Sequence, residues 1–484
     1  MSGIRVFFFF VLCGAAFALS GQADYQAAAN RFAGKPALHG AKISLSVIDM
    51  STHREVAAIN SREALEPASS LKLVSTATAL IVLGKDFRFK TELQMDGYLD
   101  AEGILQGNIY LKGYGDPSLG SGRGGCMDLD SLMDWLCDRI SEAGIRRIAG
   151  DVVADDSWFA GPPVPQGWTE KDGGNYYAAG LWSLNVAENM YRLQLRQNPK
   201  VGGAVSVLGM KPRVEGLKLY SRLTSGAPGS GDNAYIYGFP YDFEREVRGT
   251  IPAGSGVFTI KGSLPDAPLF AAQQLRAHLA KAGIAVDGEA KVWRKPKPER
   301  PRELIAVLHS PPLGTLVEWT NRESLNLYAE AFLRAVGKKR EQEGSVAAGV
   351  KTVREVWAER GLDLACLAMA DGSGLSANDA VCAYTLAVLV RKMYADELLQ
   401  KTFLNSLPVA GERGSMKHFL KDSPARGRLY AKTGSKQGVR SFTGYARSRS
   451  TGKWLAFSVI VNDYESSASA VRREMLAFLE RLCL

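Results

Sequence analysis

The sequence predicts an α+β fold: one antiparallel sheet built from both ends of the chain, helices on both of its sides, and a long β-rich insertion between the two halves. Two observations predict the sheet. Near the amino end, "AKISLSVIDMSTHREVAAIN" (41–60) alternates apolar and polar residues on either side of a Ser-Thr-His turn, the pattern of a hairpin. Near the carboxyl end, "GRLYAKTGS", "SFTGYARS" and "KWLAFSVIVND" read as three successive strands, and an amphipathic helix follows from about Ser467 to Leu484. A third observation predicts the insertion. From Lys90 to about Val292 the texture changes to short strands and glycine-rich turns with few long helices.

Taken in order, the chain of 484 residues has material for two to four folded units. It opens on "MSGIRVFFFFVLCGAAFALSGQA", with one early cation, Arg5, an apolar run from Val6 to about Leu19, and small residues around Ala18 and Ala23. That is the layout of a secretory signal peptide, and the run is shorter than the roughly 20 residues a membrane span needs. After the hairpin, "EPASSLKLVSTATALIVLG" from Glu66 reads as an apolar helix headed by serine and lysine. The basic, proline-rich "RKPKPERPR" from Arg294 to Arg302 reads as a solvated linker. Helical patterns then return in "SLNLYAEAFLRAVG", "AAGVKTVREVWAERG" and "NDAVCAYTLAVLVRKMYAD". In the last helix Val471, Met475, Phe478, Leu479 and Leu482 share one face, suited to packing on the sheet, with peripheral membrane contact as the minor alternative.

Composition excludes some functions. Lys and Arg number 59 against 50 Asp and Glu, a net charge of +9. No basic run is interleaved with aromatics, so nucleic acid is not the expected partner; an exported basic protein suits an anionic polymer or membrane surface. The five histidines, His39, His53, His278, His309 and His418, show no paired spacing for a metal or a histidine-based triad, so no metal or cofactor is expected. "GSGRGG" at Gly120, Gly122 and Gly125 lies too far from a strand to be a dinucleotide site and reads as a loop. Five cysteines follow the signal: Cys126, Cys137, Cys366, Cys382 and Cys483. Cys126 with Cys137, and Cys366 with Cys382, are close enough in sequence to be candidate bridges, and the spacing leaves the pairing open.

The chemistry gathers on serines and lysines. A serine hydroxyl needs a base within hydrogen-bond reach, and residues three apart on a helix share a face, so Lys72 can serve Ser69 where it cannot serve Ser70. Free N–H groups at a helix start favour a developing oxyanion. "AKTGSKQGVRSFTGY" holds the single Lys-Thr-Gly, Lys432 to Gly434, on a strand expected at the sheet edge, where the glycine admits a substrate backbone and the lysine and hydroxyls suit a carboxylate. Between these, "NRESLNLYAEAFLRAVG" sets Ser324 and Asn326 just before a helix. A lysine acting as base must be neutral, so a depressed pKa is expected at Lys72, brought about by Lys432, the helix start and exclusion of water.

Ser-x-x-Lys, Ser-x-Asn and Lys-Thr-Gly in this order, with "EPASSLK", "DGSGLS" at Asp371, "SLPVAG" at Ser406, "GRLYAKTGSKQGV" at Gly427 and 255 residues between Ser69 and Ser324, resemble the penicillin-recognising serine enzymes. Within them the mature chain is similar to the low-molecular-mass class C penicillin-binding proteins, the D-alanyl-D-alanine carboxypeptidase/endopeptidase family. The resemblance implies a penicillin-recognising, transpeptidase-like catalytic domain over 24–92 and 298–484, a second domain over 93–186 and 267–297, and a third over 187–266 nested in the second, after a signal peptide over 1–23. It implies export to a periplasm, peptidoglycan stem peptides as substrate and β-lactams as covalent inhibitors. It further implies that Ser69 is acylated, Lys72 takes its proton, Ser324 relays protons, Asn326 holds the substrate amide and Lys432 sets the positive field. Thr433, Gly434 and Ser435 would bind the terminal carboxylate, Ser69 and Ser435 N–H would form the oxyanion hole, and Asp172, with Gln437, would meet the stem peptide's side-chain amine. A β-lactamase and a catalytically dead cell-wall binding protein are the competing readings.

Overall fold

The computed structural model describes residues 25–295, 298 and 300–484, so the expected signal peptide and part of the basic linker lie outside the described residues. The chain forms two compact units, one from residues up to 85 with 317–325 and 353–484, the other from 86–316 with 326–352.

The first unit is built on a five-stranded sheet of β1 (Lys42–Asp49), β2 (Glu55–Ile59), β3 (Leu429–Lys436), β4 (Val439–Arg447) and β5 (Trp454–Asn462), in the order β2-β1-β5-β4-β3. Every pairing is antiparallel, so the two ends of the sequence meet where β1 lies against β5, from Lys42 opposite Asn462 to Asp49 opposite Leu455. The central strands are buried on both faces, and the period of two decides what each face meets. Ile43, Leu45 and Val47 of β1 and Phe457, Val459 and Val461 of β5 join one core with Phe32 from the helix over 25–33 and with Val471, Met475, Phe478, Leu479 and Leu482 at the carboxyl end. The apolar face of the last helix (Ala468–Arg481) therefore packs inward.

The opposite face carries small polar residues, and each has a partner. Thr443 and Ser458 hydroxyls pair at 2.8 Å, the Tyr445 hydroxyl donates to the Val390 carbonyl at 2.6 Å, and Ser44 Oγ accepts the Ala383 N–H at 3.1 Å. Val390 and Ala383 belong to the helix Ala383–Ala395, which covers this face. Burial here is affordable because every hydroxyl is bonded.

The second unit holds another five-stranded sheet, in the order Ala290–Trp293, Val152–Asp155, Ile109–Gly113, Lys90–Met95, Glu303–His309. Two helices, Leu129–Glu142 and Ala267–Lys281, supply Leu132, Leu136, Ile140, Phe270 and Leu275 to its core. The first starts on Asp128, whose side chain accepts the Ser131 N–H, and the second on Asp266, which accepts from Leu269, as N-caps should. The strands between Met190 and Ser263 form one three-stranded and one four-stranded sheet, with a single bridge from Gly262 to Asn175 outside them. Among the described residues no helix is long and apolar enough to cross a membrane.

Candidate active site

The segment that reads as one helix from Glu66 divides into a single 3-10 turn, Ala68–Leu71, and the α-helix α1 (Lys72–Leu83). Side chains three apart eclipse in a 3-10 turn, which places Lys72 over Ser69. Lys72 Nζ stands 2.8 Å from Ser69 Oγ and 2.6 Å from the Ser373 carbonyl oxygen, and its side chain is wholly buried. Ser69 is half-buried, so its hydroxyl keeps an open side. Ala68, the residue before it, sits at φ 46°, a left-handed conformation an alanine rarely adopts, and Ser324 sits at φ 62°. Such backbone strain collects where a fold holds side chains for a task.

The Ser373 carbonyl is itself held in place. The buried Asp371 carboxylate accepts the N–H groups of Ser373, Gly374, Leu375 and Ser376 at 2.6–3.1 Å, wrapping the loop around one side chain. Ser75, one turn along α1, donates to the Gly372 carbonyl at 2.6 Å. Gly374 packs so close that a Cβ there would lie 1.9 Å from the Ala68 carbonyl oxygen.

Strand β3 closes the other side and is the sheet's edge strand, as its sequence predicts. Gly434 faces the serine turn: a Cβ on it would stand 2.1 Å from Ser441 Oγ, 2.6 Å from the Pro67 carbonyl oxygen and 3.2 Å from Ser69 N. Only glycine fits so close a backbone. Ser441 donates to the Pro67 carbonyl at 2.6 Å; having spent its one proton, it accepts from Ser70 at 2.7 Å. Lys436 at the strand's end reaches the Glu66 carboxylate and, at 2.8 Å, the Leu375 carbonyl.

Lys432 is wholly buried and donates to Ser324 Oγ at 2.9 Å and to the Thr433 carbonyl at 2.8 Å. Burial, joined by the charge of Lys72, holds its pKa well below the ordinary lysine value. The sequence leads one to expect a depressed pKa at Lys72; the structure gives one at Lys432. Thr433 Oγ1 lies 3.0 Å from Ser415 Oγ, while Ser435 is exposed and accepts a bond from Arg440 of β4. Gln437 is exposed in the two-residue turn that joins β3 to β4.

The remaining two predicted residues belong to the second unit, where they are linked. Thr169 and Tyr177 hydroxyls donate to the Asp172 carboxylate at 2.5 and 3.0 Å, and the Tyr177 carbonyl accepts the Asn326 amide at 2.6 Å. Burial, with the Asp172 charge, raises the Tyr177 pKa, so Tyr177 stays a donor. Three contributors escaped the sequence reading. Ser373 acts through its main chain, and Ser441 and Arg440 of β4 stand opposite Gly434 and Ser435, so cross-strand register with Lys-Thr-Gly was the available signal for those two.

An edge strand bearing Lys432, a serine with its lysine at a helix start, and a second serine bonded to the buried lysine define a penicillin-recognising serine enzyme. The chain belongs to the D-Ala-D-Ala carboxypeptidase 3 (S13) family, whose profile matches residues 25–482, and it is a serine peptidase. It is 29% identical over 461 residues to a D-alanyl-D-alanine carboxypeptidase of Actinomadura sp. (strain R39), covering 91% of this chain and 81% of that one. It is 25% identical over 451 residues to the D-alanyl-D-alanine carboxypeptidase DacB of Haemophilus influenzae, covering 91% and 90%. In fold it matches the crystal structure of penicillin binding protein 4 from Haemophilus influenzae with a TM-score of 0.79 at 23% identity, covering 94% of this chain and 98% of that one.

Proposed function

We propose that the protein removes or cleaves next to D-alanine in peptidoglycan stem peptides through an acyl-enzyme on Ser69, and that β-lactams acylate the same oxygen. The observation that carries this reading is Lys72 Nζ at 2.8 Å from Ser69 Oγ, with a second bond to the Ser373 carbonyl. As a neutral amine, Lys72 takes the Ser69 proton as Oγ attacks the D-Ala carbonyl carbon, and the Ser373 carbonyl holds the ammonium so formed. The carbonyl oxygen becomes an oxyanion between the N–H groups of Ser69 and Ser435. When the C–N bond breaks, the leaving nitrogen needs a proton. Ser324 accepts from Lys432 and therefore has its own proton to give, and Lys72 restores it. Water then repeats the sequence on the ester and frees Ser69.

Thr433 and Ser435 hold the terminal carboxylate in the field of Lys432, with Arg440 adding charge beside Ser435. Asn326 holds the substrate amide. Asp172 meets the cationic stem-peptide side chain, a role that Gln437 shares. Terminal and cross-linking D-Ala bonds both follow a D-centre, so one serine serves carboxypeptidase and endopeptidase cleavage. Export by the N-terminal signal sets the periplasm as the place of action. The intervening region comprises a domain over 93–186 with 267–297 and another over 187–266; in support, the strands from Met190 to Ser263 form two sheets of their own.

Intact mass after incubation with benzylpenicillin tests the reading. A lasting adduct on wild type and none on Ser69→Ala is expected; consumption of the drug without an adduct would mark a β-lactamase, and intact drug with no adduct an inert binding protein.

A further inference from the structure

Cys366 and Cys382 flank the loop that holds the Ser373 carbonyl against Lys72. Inside them, Ala368 and Ala380 exchange both backbone hydrogen bonds, at 2.8 and 3.0 Å, as one antiparallel bridge. Two residues outward along the arms stand Cys366, in a turn closed by the Leu367 N–H on the Leu364 carbonyl, and Cys382, in a short strand opposite Ala64. A disulfide spans Cα atoms roughly 4.4–6.8 Å apart, and both cysteines sit against one segment, Cys382 opposite Ala64 and the Cys366 thiol on the Arg62 carbonyl. The side chains lie close as well, since the Cys382 thiol helps burial to raise the Cys366 pKa. Cys366 is partly exposed and donates to the Arg62 carbonyl at 3.2 Å, whereas Cys382 is buried beside the Thr385 hydroxyl, also at 3.2 Å. Both thiols are free in this structure, as are the other three described cysteines.

We infer that Cys366 and Cys382 are a disulfide site, and that the bond ties off the loop carrying Asp371 to Ser376. A low-molecular-mass disulfide such as oxidised glutathione is the oxidant. The Cys366 thiolate attacks one of its sulfurs, forming a mixed disulfide and releasing one glutathione thiol; the Cys382 thiolate then attacks Cys366 Sγ and releases the second. Two protein thiols are oxidised, one external disulfide is reduced, and the thiol protons pass to the departing thiolates. The external partner meets Cys366 first because of the two it is the exposed one. Burial, with the Cys382 thiol, raises the Cys366 pKa to about 11, so exchange speeds up with alkaline pH.

The bond leaves the Lys72 contact where it is. Its effect is on the loop's freedom: the open ensemble shrinks, and the Ser373 carbonyl stays in place under conditions that would otherwise release it. The test uses the mature chain, treated with reduced or oxidised glutathione, and maps cysteine linkages by non-reducing peptide mass spectrometry. A Cys366–Cys382 peptide about 2 Da lighter than its reduced pair, a melting temperature raised by several degrees, and loss of that rise in Cys366→Ser are expected. Free thiols at both positions after oxidation, or linkage of either to Cys126, Cys137 or glutathione alone, would overturn the assignment. Mapping of wild type needs no variant and no catalytic activity, so it stands apart from the reading of the active site.

Discussion

Lys432 Nζ and Ser324 Oγ are 2.9 Å apart, although 108 residues separate them, and the ammonium's second bond goes to the carbonyl of Thr433 beside it. Burial and the charge of Lys72 hold the pKa of this lysine down. That pairing bears on both pH and rate.

Because the folded-state pKa of Lys432 lies below its unfolded value of about 10.4, the unfolded chain binds the extra proton between the two. Stability therefore rises with pH across that window, and the penalty is full below the folded value. In Lys432→Met the penalty disappears. Melting temperatures from pH 7 to 10 should show the wild type gaining on the variant as pH rises; a constant difference would contradict the assignment. Acylation by benzylpenicillin should fall by about 100-fold or more in the same variant.

Gly434→Ala should damage both fold and rate. Its methyl would meet Ser441 Oγ and the Pro67 carbonyl, so β3 must retreat from the serine turn, at a cost of about 1–3 kcal/mol. Urea unfolding would read the first effect and penicillin acylation the second. A fully active, fully stable variant would mean that the edge strand is not tightly docked.

Asp371→Ala leaves four backbone N–H groups without their acceptor in a buried loop, and about 3–5 kcal/mol of stability should go with them. Asp371→Asn keeps one acceptor oxygen and should lie between. Denaturant midpoints rank the three proteins.

How far the sequence reached depended on whether a signal was local. The hairpin of β1 and β2 and the three closing strands follow from alternation and from turn residues. The expected single helix from Glu66 begins instead as a 3-10 turn, because β3 presses against Pro67 and Ser69 and no local propensity records that. The Ser373 carbonyl was invisible for a different reason: a main-chain atom has no side-chain letter. The strand Glu303–His309 went unread, since its partner, Lys90–Met95, lies some two hundred residues away and pattern alone does not choose among sheets.

Asp172→Asn should reveal what the second unit contributes. If the carboxylate meets a cationic stem-peptide side chain, the variant should raise KM about tenfold for a peptide with a free amine and leave the acetylated peptide unchanged. Equal losses on both would instead indicate that the bonds from Thr169 and Tyr177 merely hold the fold.

An unpaired sheet edge welcomes any extended chain, including a neighbouring copy of itself, and so is a hazard in a concentrated solution. This protein covers the first part of β3 with its own chain: Ala410 N–H donates to the Leu429 carbonyl at 2.9 Å and Ala431 N–H to the Pro408 carbonyl at 3.0 Å. The remaining stretch, Lys432 to Lys436, starts and ends on a lysine and carries glycine at its centre. Such an edge is too short for a second β3 to add to it, and it leaves room for no more than a brief guest strand.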